Sequence, residues 1–358
     1  MMVLFGTDVE LFVCNRKGKV IDSSKFFKGL HMVENKGEMK HEVYDTFGET
    51  SGFLKQDGVL LEIEVIPASC RQILSWRIAR LVAAANKIAR KRGYKLSLKT
   101  GHEFNKEEFD SLPEDSKKLG CMPSKNAYAD GLEIPLGVNG EEYRIRTTGG
   151  HIHIGIYDNP MKDNIKRNVN DFIKLLDLML GNTMVLLDRE EFSKTRRKVY
   201  GRAGEYRTRT KNDYYIVEYR TLSNFWFRSY PLMSFVTGTA RVCADFIDKG
   251  IHKEILKLVD EKDVKKAINE NDYDLALKNL NKIREHLENI KDTSFLGTGI
   301  LSLDFYETIT KIAEKQMFKD KFKVLYRCWN TAMGWERLDR IAREENNFDA
   351  YLAGYINK

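Results

Sequence analysis

No apolar run in this sequence is long enough to cross a bilayer as a helix. A spanning helix needs about 20 predominantly apolar residues, and the best stretch, 172–187, is broken by Lys174 and Asp177. No membrane partner is therefore expected. Asp8 and Glu10 stand inside the first apolar stretch, which argues against a secretion signal. The five cysteines (Cys14, Cys70, Cys121, Cys243, Cys328) are odd in number and far apart. That excludes a disulfide framework or a zinc knuckle and predicts reduced thiols in a cytoplasmic compartment. Internal repeats, low-complexity tracts and Pro/Ser-rich linkers are also missing, so no domain boundary is marked. A Walker A lysine motif, a dinucleotide glycine fingerprint, a kinase triplet and a nucleophile elbow are all absent. A nucleotide would then lie on a sheet face and not on a glycine loop at a helix start. Cys14 and Cys121 read as packing or loop residues, not nucleophiles.

What is present describes a soluble globular chain. Its 358 residues, 42% hydrophobic and 31% charged, suffice for one large or two ordinary domains. A net charge of +7 suits an anionic substrate such as a nucleotide without requiring nucleic acid.

Four strand-like stretches carry polar groups two residues apart. Period-two alternation puts such a pair on one face. The most distinctive is Gly149-Gly150-His151-Ile152-His153-Ile154-Gly155, with both imidazoles on one face and both isoleucines on the other. By itself it reads equally as a structural, tautomer-locked pair or as a metal or phosphate site. Asp8 and Glu10 share a face within residues 3–13, and Glu62 and Glu64 share one in the strand that Pro67 is expected to end. Glu218 and Arg220 share a face in 214–222. Paired carboxylates on an apolar strand repel unless a cation lies between them, although a solvated edge strand would tolerate them. If these strands pair in one antiparallel sheet, the acids and a histidine converge into a trough suited to Mg2+ or Mn2+ more than to zinc.

Between the strands, Ser69 is expected to cap a helix over 69–92, with Ile73, Trp76, Ile78, Leu81, Val82, Ala85 and Ile88 inward and Gly93 as its stop. Arg90, Lys91 and Arg92 read as a helix-end effect. Residues 105–142 read as an irregular excursion of the kind that forms a substrate wall or lid. Helices are expected at 165–180, with Phe172, Leu175, Leu176 and Met179 inward, and at 228–248, 263–290 and 304–317. The basic stretch 193–211 holds Lys194, Arg196, Arg197, Lys198, Arg202, Arg207, Arg209 and Lys211, with Gly201 and Gly204 among them. It reads as a loop. Guanidinium forks bind phosphate oxygens bidentately, so a loop of arginines is a candidate phosphate clamp, with a solvated basic loop as the plain alternative. Tyr200 and Tyr206 leave a nucleic-acid reading open there.

These motifs together resemble a known family. Gly6-Thr7-Asp8-Val9-Glu10, the His-X-His strand, Tyr200-Gly201-Arg202-Ala203-Gly204-Glu205-Tyr206-Arg207, Val217-Glu218-Tyr219-Arg220-Thr221-Leu222-Ser223-Asn224 and the loop Gly120-Cys121-Met122-Pro123-Ser124-Lys125-Asn126-Ala127-Tyr128 look like the phage-associated carboxylate–amine ligases of type 2. That family belongs with the glutamate–cysteine ligases and glutamine synthetases. The resemblance implies an α+β fold: a curved, glutamine-synthetase-like antiparallel sheet forming a funnel, with flanking helices and a mostly helical C-terminal third. It suggests a catalytic region over 1–250 and a helical region over 251–358 packed on it. It implies an ATP-dependent carbon–nitrogen ligase in which ATP phosphorylates a carboxylate and an amine attacks the acyl phosphate. ATP would enter from one end and the two small-molecule substrates from the other, with magnesium between. Asp8, Glu10, Glu62, His151 and Glu218 match the metal ligands, with Asp8 where glutamate is common. Glu64 has a weaker claim, behind them. His153 and Arg220 match the nucleotide and phosphate side, joined by Arg197 and Arg202 from the basic stretch. Arg220, Arg202 and Arg207 are the expected catalytic cations. The setting would be a cytoplasm, that of the host for a bacteriophage protein, and the superfamily leaves homo-oligomers open. Two other classes stay in play: a metal-dependent phosphoesterase or nuclease using the same acids, and a nucleic-acid-binding protein using 193–211.

Overall fold

Strand Val3–Asn15 (β1) is paired on both sides over most of its length, and the rest of the sheet is laid out from it. The computed structural model describes residues 3–291, apart from 120–122, 136–137, 140–141, 158, 189 and 229. After β1 come β2 (Val20–Ile21), β3 (Val33–Asn35), β4 (Glu38–Tyr44), β5 (Thr50–Asp57), β6 (Leu60–Ala68) and β7 (Tyr94–Ser97). Then follow β8 (Gly101–Glu103), β9 (Ser124–Asn126), β10 (Leu132–Ile134), β11 (Ile145–Thr147), β12 (Gly150–Ile156), β13 (Glu205–Lys211) and β14 (Tyr214–Tyr219). The main sheet runs β10-β9-β13-β14-β12-β1-β6-β5-β4-β3, with β2 and β7 on the far end of β1, while β8 and β11 form a separate ribbon. Every pairing among these strands is antiparallel.

Alternation along β1 divides the molecule. Val3, Phe5, Val9, Leu11 and Val13 enter the main core with Ile152, Ile154 and Ile156 of β12. The opposite face carries Asp8 and Glu10, then Phe12 and Cys14, which join Val20, Phe104 and Phe109 in a second, smaller core. The long helices pack on the first face, while Phe109, from the short helix Lys106–Asp110, packs into the second core. Burying each of these aliphatic side chains contributes about 1.5–3 kcal/mol, so the register that puts Asp8 and Glu10 on the other face is strongly specified.

The helix Arg71–Lys91 presents Leu74, Ile78, Leu81, Val82, Ala85 and Ala89 to this core. Its phase departs from expectation at the start: Ile73 and Trp76 are 45% and 37% exposed, and Leu74 is inward in their place. Cys70 and not Ser69 occupies the N-cap, without a side-chain bond. Its end is as expected, with Gly93 at φ +74°. Pro67 does not end β6. The β1–β6 register shifts between Phe5 and Thr7, and the bulge this makes on β6 lets the strand resume at Ala68.

Two further expectations are corrected. Residues 105–142 are not wholly irregular: short helices Lys106–Asp110 and Glu114–Lys117 precede β9 and β10, which extend the main sheet beyond β13. Residues 193–211 are not a loop but a helix, Ser193–Val199, a glycine turn, and β13. The glycines fall after the helix, not within it.

Phe172, Leu175, Leu176 and Met179 are buried as expected, in a helical run over 159–187 that passes through a π-helical turn at Asp177–Gly181. Helices Tyr230–Asp248, Glu261–Glu270 and Tyr273–Lys291 follow. Their Phe235, Ile268, Leu280 and Ile283 share the core of the sheet. The expected helix at 304–317, together with Cys121 and Cys328, lies outside the described residues. Among the described residues no helix is long and apolar enough to cross a membrane.

Candidate active site

Register alone assembles the polar pairs. Asp8 lies opposite His151 on β12 and Glu64 on β6, and Glu10 lies opposite Glu62. On the other side His153 faces Glu218, and Glu218 faces Arg207 of β13. Three of the four pairs and Glu218 of the fourth therefore share one face of one sheet, and Arg220, one residue past the end of β14, reaches Glu218 from there.

Two groups of ligand atoms result, each within 4.8 Å of one another: Asp8, His153 and Glu218, and Glu10, Asp57 and Glu62. In the first, His153 Nε2 is 3.2 Å from Asp8 Oδ2, and His151 Nδ1 is 3.2 Å from Asp8 Oδ1 and 3.8 Å from Glu218 Oε1. Arg220 Nε lies 3.1 Å and Arg207 Nη1 3.7 Å from the same Glu218 oxygen. Burial would raise the Asp8 carboxyl, but His153 and His151 outweigh it and hold the group well below the usual carboxylate range. Burial likewise opposes a charged His153, and Asp8 and Glu218 carry its pKa above the ordinary value.

The second group is pushed the other way. Burial, reinforced by Glu10, raises Asp57 to about 7, and burial with Asp8 raises Glu62 well above its usual range. Lys55, 3.2 Å from Glu62, works against both shifts. Glu10 is held by the Gly149 N–H and by the Tyr200 hydroxyl, which donates to Oε2 at 2.8 Å. The glycine frame of the His-X-His strand has a steric cause: a Cβ at Gly149 would lie 2.6 Å from His151 Nε2 and 2.9 Å from the Tyr200 hydroxyl.

These donor sets fit a divalent cation. Asp8 Oδ1, Glu218 Oε1, His151 Nε2 and His153 Nε2 are buried without a hydrogen-bond partner among the described residues. Carboxylates crowded in this way are what an oxygen-seeking metal neutralises. The tight triad includes His153, which the resemblance placed on the nucleotide side. His151 stands beside that triad, edge-on to the Tyr200 ring at 5.8 Å.

The basic stretch divides. Arg196 is fully buried and donates to the carbonyls of Thr221, Arg220 and Leu222. Arg197 donates to those of Gly201 and Thr221. Arg202 bonds Glu205 and the Pro135 carbonyl. Of the expected catalytic arginines, Arg207 and Arg220 stand at the acid trough, and Arg220 is fixed by the Ser124 hydroxyl and the Tyr200 ring. Glu64 is on the trough face but is taken by Lys40 and Lys36.

Sequence reasoning missed Asp57, read as a turn residue before Gly58, although Lys55 and Asp57 form one more polar pair at two-residue spacing. It missed Tyr200 as well, whose ring and hydroxyl join Glu10, His151 and Arg220. The sequence shows that tyrosine only as the head of a family motif and as an aromatic of the basic stretch, and nothing local points to Glu10 or His151 as its partners.

The profile of the family described as Phage phiEco32-like COOH.NH2 ligase-type 2 matches residues 127–326. That is more than half of the chain. The chain belongs to this family of carboxylate–amine ligases. The matched span takes in His151, His153, Arg207, Glu218 and Arg220. Asp8, Glu10, Asp57 and Glu62 precede it, and the sheet brings them to the same place. The match also reaches into 226–326, where no motif is evident in the sequence. Among solved structures, a chain from the crystal structure of the complex between the prokaryotic ubiquitin-like protein Pup and its ligase PafA is similar, with a TM-score of 0.51 and 13% identity. The likeness covers 97% of this chain and 69% of that one, and at that identity it shows a related fold. No curated protein matches the chain by sequence.

Proposed function

We propose that this ligase forms an amide bond at the expense of ATP, with Mg2+ (or Mn2+), through an acyl phosphate. The observation that carries the reading is the pair of adjacent ligand groups on one sheet face, with Arg207 and Arg220 at one side of them. A carboxylate is a poor electrophile until one oxygen becomes a phosphate leaving group, and activating it is a matter of charge neutralisation and alignment. Asp8, His153 and Glu218, with His151 beside them, would hold one cation, and Glu10, Asp57 and Glu62 another. Such ions, when bound, supply charge neutralisation of the nucleotide phosphates and polarise the transferred group. Arg220 and Arg207 hold the transferring phosphoryl group by charge-assisted hydrogen bonds. Arg196 and Arg197 shape the turns around Gly201 and Thr221 and do not touch phosphate. Arg202 lines the approach beside Pro135.

The acid and the amine define the specificity still to be found. PafA is the ligase of a protein, Pup, so protein-borne carboxylates and amines belong in the screen beside amino acids. The test is Mg-dependent ADP release across pooled acids and amines, read with the mass of the product. A new amide with ADP and phosphate, lost in Glu218→Gln, is the expected result. Phosphoester hydrolysis without a coupled amide would overturn the reading in favour of a metallohydrolase.

A further inference from the structure

The second ligand group has a cation built into it. Lys55 lies directly opposite Glu62 in the β5–β6 register and two residues before Asp57 on the same face. Its Nζ is 3.2 Å from Glu62 Oε1 and 3.2 Å from Glu38 Oε2, with a side chain only 17% exposed. One strand further out, Lys40 faces Lys55 and pairs with Glu64 and Glu38, its side chain 2% exposed. Both acids of β6 are thus met by a lysine of the neighbouring strands, whereas Asp8 and Glu218 are met by imidazoles and guanidinium groups.

An ammonium neutralises a carboxylate as a metal does, yet it cannot gather three oxygens into one coordination sphere. It competes with a metal for Glu62 while keeping three close carboxylates from repelling one another. Glu38 gives it somewhere to go. That carboxylate is half-exposed and already in contact with Lys55 through both oxygens, at 3.3 and 3.2 Å. When Glu62 turns to a metal, Lys55 keeps a partner.

We propose that Lys55 is a resident counter-cation of the Glu10–Asp57–Glu62 group, competing with a divalent ion for Glu62 and making this the exchangeable metal position of the ligase. The proposal rests on reading both acid groups as metal sites. Its prediction is specific to charge: Lys55→Met keeps the aliphatic stem, removes the competitor and tightens the Glu62-dependent site. Unit charges this close in a part-buried setting make the expected change about tenfold or more.

The experiment is Mn2+ titration of the full chain by calorimetry, checked by electron paramagnetic resonance, for the wild type, Lys55→Met, Lys55→Arg and Glu62→Gln. Glu62→Gln identifies which binding event belongs to this group. Tightening of that event in Lys55→Met, with wild-type affinity in Lys55→Arg, is the expected pattern. Unchanged or weaker binding in a folded Lys55→Met overturns the role of Lys55 and leaves the metal reading in place. Absence of Mn2+ binding in every variant overturns both. Should Lys55→Met fail to fold, Lys55→Gln is titrated in its place under the same criterion.

Discussion

The two acid groups are built alike and behave as opposites. Each takes one side chain from each of three neighbouring antiparallel strands, and both lie on the same face of one sheet. Around Asp8 and Glu218 the neighbours are His151, His153, Arg207 and Arg220, and Asp8 is driven well below the usual carboxylate range. Around Glu62 the neighbours are Glu10, Asp57 and a lysine, and both Asp57 and Glu62 are driven up. The geometry of a strand pair therefore does not set the charge of a site. The residue types on the next strands do. One half is ready for an anion as well as a cation; the other is ready for a cation alone.

The comparison yields expectations of decreasing size. Glu218→Gln removes the acid that touches both the histidines and the arginines, and ATP turnover should fall roughly a thousandfold with little change in Tm. Retained turnover would break the assignment of the first half to phosphoryl transfer. Arg196 tests what lies beneath that half. Its guanidinium satisfies three carbonyls around Arg220, so Arg196→Ala should cost about 3 kcal/mol of stability. Denaturant unfolding would read that loss. A stable variant with weakened ATP binding would restore this arginine to the phosphate side.

Asp177 supplies a pH test of the same scaffold. Burial raises its carboxyl to about 7, although Tyr219, Thr221, Gly204 and Tyr128 donate hydrogen bonds to it. A carboxyl raised in the folded chain binds its proton more tightly there than in the unfolded chain. Its contribution therefore favours the fold in acid and is lost as pH rises from about 4 to about 7. Tm measured from pH 5 to 8 should fall more steeply in the wild type than in Asp177→Asn, and parallel curves would refute this. In the second half, Tyr200→Phe keeps the ring beside His151 and removes the bond to Glu10. A loss of about 1 kcal/mol in stability or in turnover is expected. Phe47→Ser, at a surface position far along the β4–β5 hairpin, should change stability by under about 0.5 kcal/mol and leave turnover alone.

Much of this was legible in the sequence because strand alternation is local. Asp8 with Glu10, Glu62 with Glu64, and His151 with His153 share faces whatever the rest of the chain does, and the motif order pointed to the ligase family. The basic stretch was misread because charge says nothing about burial: Arg196 and Arg197 serve carbonyls, whereas Arg207 reaches the trough. Asp57 was hidden by the glycine after it, since an Asp-Gly pair signals a turn equally well at the last residue of a strand. Glu64 is on the right face yet is claimed by Lys40, a residue 24 positions away.

The sequence by itself determined which side chains are neighbours along each strand, the apolar faces that must be buried, and the family. Only the tertiary structure decided which strands lie side by side. That choice put His153 into the ligand triad, added Asp57 to the acids of β1 and β6, and set Tyr200 between Glu10 and Arg220. Spacing along a strand follows from the covalent chain and its pleat, but partners across strands follow from burying the apolar face against helices more than a hundred residues away.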